Sequence, residues 1–103
     1  KLDPIVLAAL FHYKFIRIHP FDDGNGRVAR ILMNFILMQY GFPPVIIRTE
    51  DRAEYYRVLR LADADQVKPF VDYIAANLVD SLKLMIAATR MEFGFDETPE
   101  LGI

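Results

Sequence analysis

The stretch from Ile5 to Ile18 contains neither Gly nor Pro, and Ile5, Val6, Leu7, Ala8, Ala9, Leu10, Phe11, Phe15, Ile16 and Ile18 leave it almost no polar face. A helix with that pattern is expected to be central and mostly buried, so the rest of the chain must cover it. Asp3 and Pro4 read as its N-cap and first position, which puts the first helix at Pro4 to Ile18. Helical periodicity resumes from Gly26 to Tyr40 through Val28, Ile31, Leu32, Phe35 and Ile36, and Gly41 stops it at C′ ahead of Pro43-Pro44. Thr49 is expected to cap a third helix, with Glu50 and Asp51 in its first turn, that ends near Asp63. Pro69 starts a fourth, whose apolar residues from Phe70 to Met85 keep helical spacing with Asn77 as the exception; it runs to about Phe93 and stops at Gly94. Val45-Ile46-Ile47 has no second β run to pair with, so it reads as an extended, buried connector. The expected fold class is all-α.

A chain of 103 residues makes one domain at most, and 53 % hydrophobic with 25 % charged residues is globular composition. The opening Lys1-Leu2-Asp3-Pro4 has no initiator Met, and the chain is expected to be a piece of a larger protein. The formal net charge of −2 gives no global attraction to nucleic acid or to an anionic membrane. Residues 1–60 carry nine bases against six acids, however, so an anion site is to be sought there, while residues 61–103 carry three bases against eight acids. The absence of cysteine removes disulfides, thiolate nucleophiles and cysteine-ligated metals. No run of about 18 apolar residues and no signal-peptide pattern occurs, which for a piece of a larger protein says nothing of the whole; a cytoplasmic location is the expectation.

Between the first two helices stands His19-Pro20-Phe21-Asp22-Asp23-Gly24-Asn25-Gly26-Arg27-Val28-Ala29-Arg30, where the local rules are broken. Arg27 and Arg30 share one face of the first turn of a helix, where cations oppose the dipole at a cost of about 0.3 to 1 kcal/mol each. A bound anion reverses that sign. Outward-pointing N–H groups at the helix start, with Gly24 and Gly26 allowing close approach, describe a phosphate cradle. Asp22 and Asp23 fit beside a phosphate if a cation bridges them, as magnesium does. His19 is then placed to take a proton near neutral pH. A calcium loop is disfavoured because Arg27 fills a ligand position, and no Gly-Lys-Ser/Thr follows to make a P-loop. His12, inside an apolar helix, reads as a satisfied core histidine.

His19 to Arg30 resembles the Fic signature, His-x-Phe-x-Asp/Glu-Gly-Asn-Gly-Arg-x-x-Arg, at every specified position. The resemblance continues through Leu32-Met33-Asn34, Gly41 to Ile47, Arg52, Tyr55-Tyr56, Leu59 and Pro69-Phe70 to about Leu82, and is nearest the branch of the metazoan endoplasmic-reticulum Fic protein and its bacterial relatives. It implies a Fic helical core over residues 1–94, partial because upstream helices and a target-docking hairpin would be missing, with an acidic tail at 95–103. It also implies transfer of AMP from ATP to a Ser, Thr or Tyr hydroxyl of a target protein with release of pyrophosphate, and removal of AMP as a further activity. In that family His19 would be the general base and Asp23 the ligand of magnesium, or of manganese in its place, with Asp22 at a variable position. Gly24, Asn25 and Gly26 would form an anion hole from backbone and amide donors, and Arg27 and Arg30 would grip the outer phosphates. Phe21 would anchor the loop. Tyr56 and Leu59 align with residues lining the adenine pocket, and Asp63 stands where the branch usually has Asn, offering an acceptor but no donor.

The family's inhibitory motif, Ser/Thr-x-x-x-Glu-Gly/Asn, is not found: after Thr49, Ser81, Thr89 and Thr98 the Glu position holds Ala53, Met85, Phe93 and Gly102. Gly26 argues against the branch that transfers a phosphate, where Lys tends to stand. The alternatives are transfer of another group such as UMP, a nucleotide-binding module inactive as a fragment, and a purely structural helical domain. The expected partners are ATP and a target protein, with a homodimer as a further assembly.

Overall fold

The computed structural model describes residues 3–93, and the predicted acidic tail lies outside them. It contains four helices, α1 (Pro4–Ile18), α2 (Asn25–Gln39), α3 (Arg52–Asp63) and α4 (Lys68–Phe93), and no strand among the described residues. The all-α expectation therefore holds.

The Asp3 side chain accepts from the Ile5 N–H at 2.8 Å and Pro4 takes the first turn, so α1 starts as its sequence requires. α1 packs on both α2 and α4. Ala8 and Ala9 are wholly buried and let neighbouring helices approach closely. The other side of α1 is open, with Phe11 and Ile18 exposed, so the helix is central but not mostly buried. Only α2 and α4 pack on α1, and two neighbours cover one side of a helix with almost no polar face.

The connector after α2 is extended without a sheet because Asn34 does a strand's work. Its amide accepts from the Val45 N–H at 2.7 Å and donates to the Val45 carbonyl at 3.1 Å, satisfying both backbone groups. Val45 is buried as expected, whereas Ile46 is exposed. Thr49 does not cap α3. Thr49–Asp51 form a 3-10 turn with no side-chain cap, and Asp51 itself becomes the N-cap. Asn77, the polar exception on α4, is buried and returns its amide to the Tyr73 carbonyl one turn back at 2.9 Å. α3 and α4 pack together, so the core is filled from Tyr55, Val58 and Ala62 on one helix and Phe70, Ile74 and Leu78 on the other.

Candidate functional site

His19 ends α1 in the left-handed region, φ 54 and ψ 60, with its N–H donating to the Phe15 carbonyl. A non-glycine residue there carries backbone strain of about 1 to 2 kcal/mol. The turn swings the chain from α1 toward the start of α2. Phe21 rests on Phe15, ring centroids 6.3 Å apart, but is 51 % exposed, so the loop's anchor is the Asn25 amide instead. Buried Asn25 accepts from the Phe21 N–H at 3.0 Å and donates to the Phe21 carbonyl at 2.8 Å. Its Nδ2 also lies 3.2 Å from Nδ1 and 3.3 Å from Nε2 of His19. The amide nitrogen gives one of its two hydrogens to Phe21 and has one left for His19, so it engages at most one ring nitrogen at a time and leaves the other without a side-chain partner among the described residues. This corrects the expected anion hole: the Asn25 amide is committed inside the loop, and only its backbone N–H remains to offer.

α2 begins uncapped. Gly24 occupies the N-cap at φ 80, no side chain accepts from the first N–H groups, and no acid stands in the first turn. Neither Arg27 nor Arg30 forms an ion pair among the described residues. Both guanidinium groups fold back onto the glycines: a Cβ on Gly24 would lie 3.2 Å from Arg27 Nη1, and one on Gly26 would lie 3.3 Å from Arg30 Nη1. The glycines thus let each guanidinium group lie close against the backbone at the helix start, where a side chain would crowd it. Asp23 accepts from the Gly24 N–H at 2.8 Å through one oxygen, and the other has no protein partner among the described residues.

These groups line a cavity of about 290 Å³ that His19, Asp22, Asp23, Gly24, Gly26 and Arg30 share with Tyr55, Tyr56 and Leu59 of α3. An adjoining cleft of about 580 Å³ shares the wall of Ile16, Tyr56 and Leu59 and extends to Tyr13, Arg17, Arg60 and Asp63. The sequence-predicted residues are therefore brought together in two connected spaces. Arg27 lies just outside the first, over Gly24. Leu59 is also part of the core, whereas Tyr56 is half exposed to the cavities. Asp63 is already engaged: Tyr13 donates its hydroxyl to Oδ1 at 2.9 Å, and Arg17 donates to the Tyr13 oxygen at 3.0 Å. Ile16, Tyr13, Arg17 and Tyr55 are lining residues that sequence reasoning missed. For Ile16 the available signal was its place three residues before His19 on one face of α1.

His12 is fully buried with Nε2 2.7 Å from the Tyr55 hydroxyl. Its Nδ1 has no hydrogen-bond partner, which corrects the expectation of a satisfied core histidine. Burial pushes its pKa down to about 4; the adjacent Ala29 backbone opposes this without closing a hydrogen bond, and the positive charge of Arg30 adds to it. Burial also pushes Tyr55 up to about 12, against the pull of Arg30. Both groups are neutral at physiological pH.

Among the described residues no three His, Asp or Glu side chains gather into a metal cage, and no helix is long and apolar enough to cross a membrane. Residues 1–37 match the Fic/DOC family. The chain is 48 % identical to a protein adenylyltransferase Fic of Nematostella vectensis over 101 residues, 97 % of this chain and 24 % of that protein. It is 49 % identical to protein adenylyltransferase fic-1 of Caenorhabditis elegans over 89 residues, 86 % of this chain and 18 % of that one. It thus spans a quarter or less of these curated relatives. A solved structure of C. elegans Fic-1 superposes with a TM-score of 0.83 at 48 % identity, covering 88 % of this chain and 28 % of the other. A Fic domain containing signaling protein from Bacteroides thetaiotaomicron superposes with a TM-score of 0.82 at 43 % identity, covering 86 % and 38 %.

Proposed function

This chain belongs to the Fic/DOC family, and from that premise we propose that the protein carrying it is an adenylyltransferase that moves AMP from ATP to a Ser, Thr or Tyr hydroxyl of a target protein. The observation that carries this reading is the uncapped start of α2 beneath two arginines that form no ion pair among the described residues, beside a histidine whose ring the Asn25 amide engages through at most one nitrogen. In the reaction His19 takes the proton of the target hydroxyl, whose oxygen bonds to the α phosphorus. The bond from that phosphorus to the oxygen bridging the β phosphate breaks, and pyrophosphate leaves with the electron pair.

The chain's residues divide the work. The backbone N–H groups of Asn25 and Gly26 meet phosphate oxygens beside Gly24, whose own N–H is held by Asp23, and Arg27 and Arg30 balance the charge of the outer phosphates. Tyr56 and Leu59 border the cleft in which the base lies, with Asp63 and its Tyr13 partner at the far end. Magnesium usually keeps its waters and needs only one or two carboxylates beside substrate phosphates, so the one unbonded oxygen of Asp23 at the cavity rim fits it. Asp23 would hold magnesium, or manganese in its place, which when bound supplies positive charge against the α and β phosphates. The catalytic core in this reading is residues 1–94, with 95–103 an acidic tail, and the setting is cytoplasmic.

The test is pyrophosphate release coupled to target modification by the full-length protein. His19→Ala should lower the rate by about 10²- to 10⁴-fold, the span of a general base. An unchanged rate would remove His19 from the chemistry.

A further inference from the structure

The two sides of the proposed nucleotide cavity belong to different packing units. α1 packs on α2 and α4, whereas α3 packs on α4 and on its own leading 3-10 turn. Yet α3 brings Tyr55, Tyr56 and Leu59 into the cavity lined by the His19 to Arg30 loop. Two hydrogen bonds reach across from α1. Tyr13 to Asp63 lies at the part-buried rim, and His12 to Tyr55 lies inside.

The inner bond has an unusual setting. The His12 ring meets Tyr55 edge-on at 5.7 Å, lies 5.6 Å from the Phe70 ring of α4, and sits beside the backbone of Ala29, between Arg27 and Arg30. This α1 side chain therefore meets each of the other three helices. As core filling it is a poor choice, because a buried imidazole with an unsatisfied nitrogen costs desolvation that a leucine would avoid. What the imidazole adds is direction: a hydrogen bond fixes the Tyr55 ring at one distance from α1, on the side that faces Ala29 of α2, where apolar packing would allow sliding. Tyr55 passes that constraint on, since its ring lies 5.2 Å from that of Tyr56, the half-exposed wall shared by both cavities.

We propose that His12 is a positioning residue for nucleotide binding, which acts through Tyr55 to hold the α3 wall of the cavity in register with the anion-binding start of α2. This rests on the nucleotide reading above. Neither residue touches the reacting atoms, so the effect belongs to ATP affinity and not to proton transfer.

The experiment measures binding of a non-hydrolysable ATP analogue by calorimetry to the full-length protein, alongside KM and kcat for ATP. Tyr55→Phe keeps the ring and removes only the hydroxyl, and should weaken the analogue about tenfold, the worth of one buried hydrogen bond, with KM rising in step and kcat little changed. His12→Leu should do the same, and the double variant should be no weaker than either single one. His12→Gln, whose amide can still meet the Tyr55 hydroxyl, should recover part of the loss. If His12→Leu does not fold, Tyr55→Phe alone decides. A lowered melting temperature with analogue affinity within about twofold of wild type would mean a merely structural pair and overturn the proposal. Wild type failing to bind the analogue would overturn the nucleotide reading and this inference with it, a result visible before any variant is made.

Discussion

The start of α1 is closed by its own chain: Asp3 accepts from the Ile5 N–H, Pro4 occupies a position that needs no donor, and no cation stands in the first turn. The start of α2 has none of this, with a left-handed glycine at the N-cap, no accepting side chain, and Arg27 in the first turn where the dipole disfavours it; Arg30, expected in that turn, stands one turn further on because the helix begins at Asn25. The difference supports the proposed reading, in which an unfavourable helix start gains its meaning from a partner outside the chain. α1 is finished when the protein folds, whereas on the proposed reading α2 is finished when an anion binds.

That contrast can be broken in four ways. The largest effect concerns the self-contained side, where His12 locks α1 to its neighbours. Its folded pKa of about 4 lies below the ordinary 6.5, so the unfolded chain binds more protons between those values. Stability should be full above pH 6.5 and fall by up to roughly 3 kcal/mol as the pH drops toward 4. Melting curves across this window check it, and His12→Leu should flatten the decline. Next, Arg30→Ala should weaken ATP-analogue binding by about 10- to 100-fold, the loss of a charge-assisted hydrogen bond, without lowering the melting temperature of the nucleotide-free protein. A large drop in that temperature would mean the arginine serves the fold.

Gly24→Ala should cost about 1 to 2 kcal/mol of stability from its positive φ, and should also weaken nucleotide binding as the new Cβ crowds Arg27. Denaturant midpoints and calorimetry measure the two losses separately. The smallest effect should be Asp3→Ala, about 1 kcal/mol of stability from the lost cap with nucleotide affinity unchanged. If Asp3→Ala impaired binding as much as Gly24→Ala did, the two helix starts would not differ in the way described.

Most of the fold was legible because helix starts and stops are written locally, in Asp3-Pro4, Gly41 and the lysine-proline step at α4. Thr49 misled because a capping residue and a 3-10 turn residue look alike until the following backbone is fixed. The openness of one side of α1 was hidden for a different reason: an apolar row states what a helix can bury, and tertiary packing decides what it does bury. The motif was legible because its residues are contiguous and break rules together. Nothing in the sequence indicated that the Asn25 amide would turn inward to Phe21, or that Asp63 would be claimed by Tyr13. Both depend on where α1 ends relative to α2 and α3, as does the His12 to Tyr55 bond, whose partners are 43 positions apart.

The central claim is that the start of α2 holds the phosphates of ATP so that the α phosphorus faces the hydroxyl activated by His19. Its most direct test follows label into the target protein from ATP carrying the isotope at the α or at the γ phosphate, with the full-length protein and magnesium. The account predicts incorporation from the α position alone, lost in His19→Ala. Label arriving from the γ position alone would contradict it and assign the site to phosphate transfer.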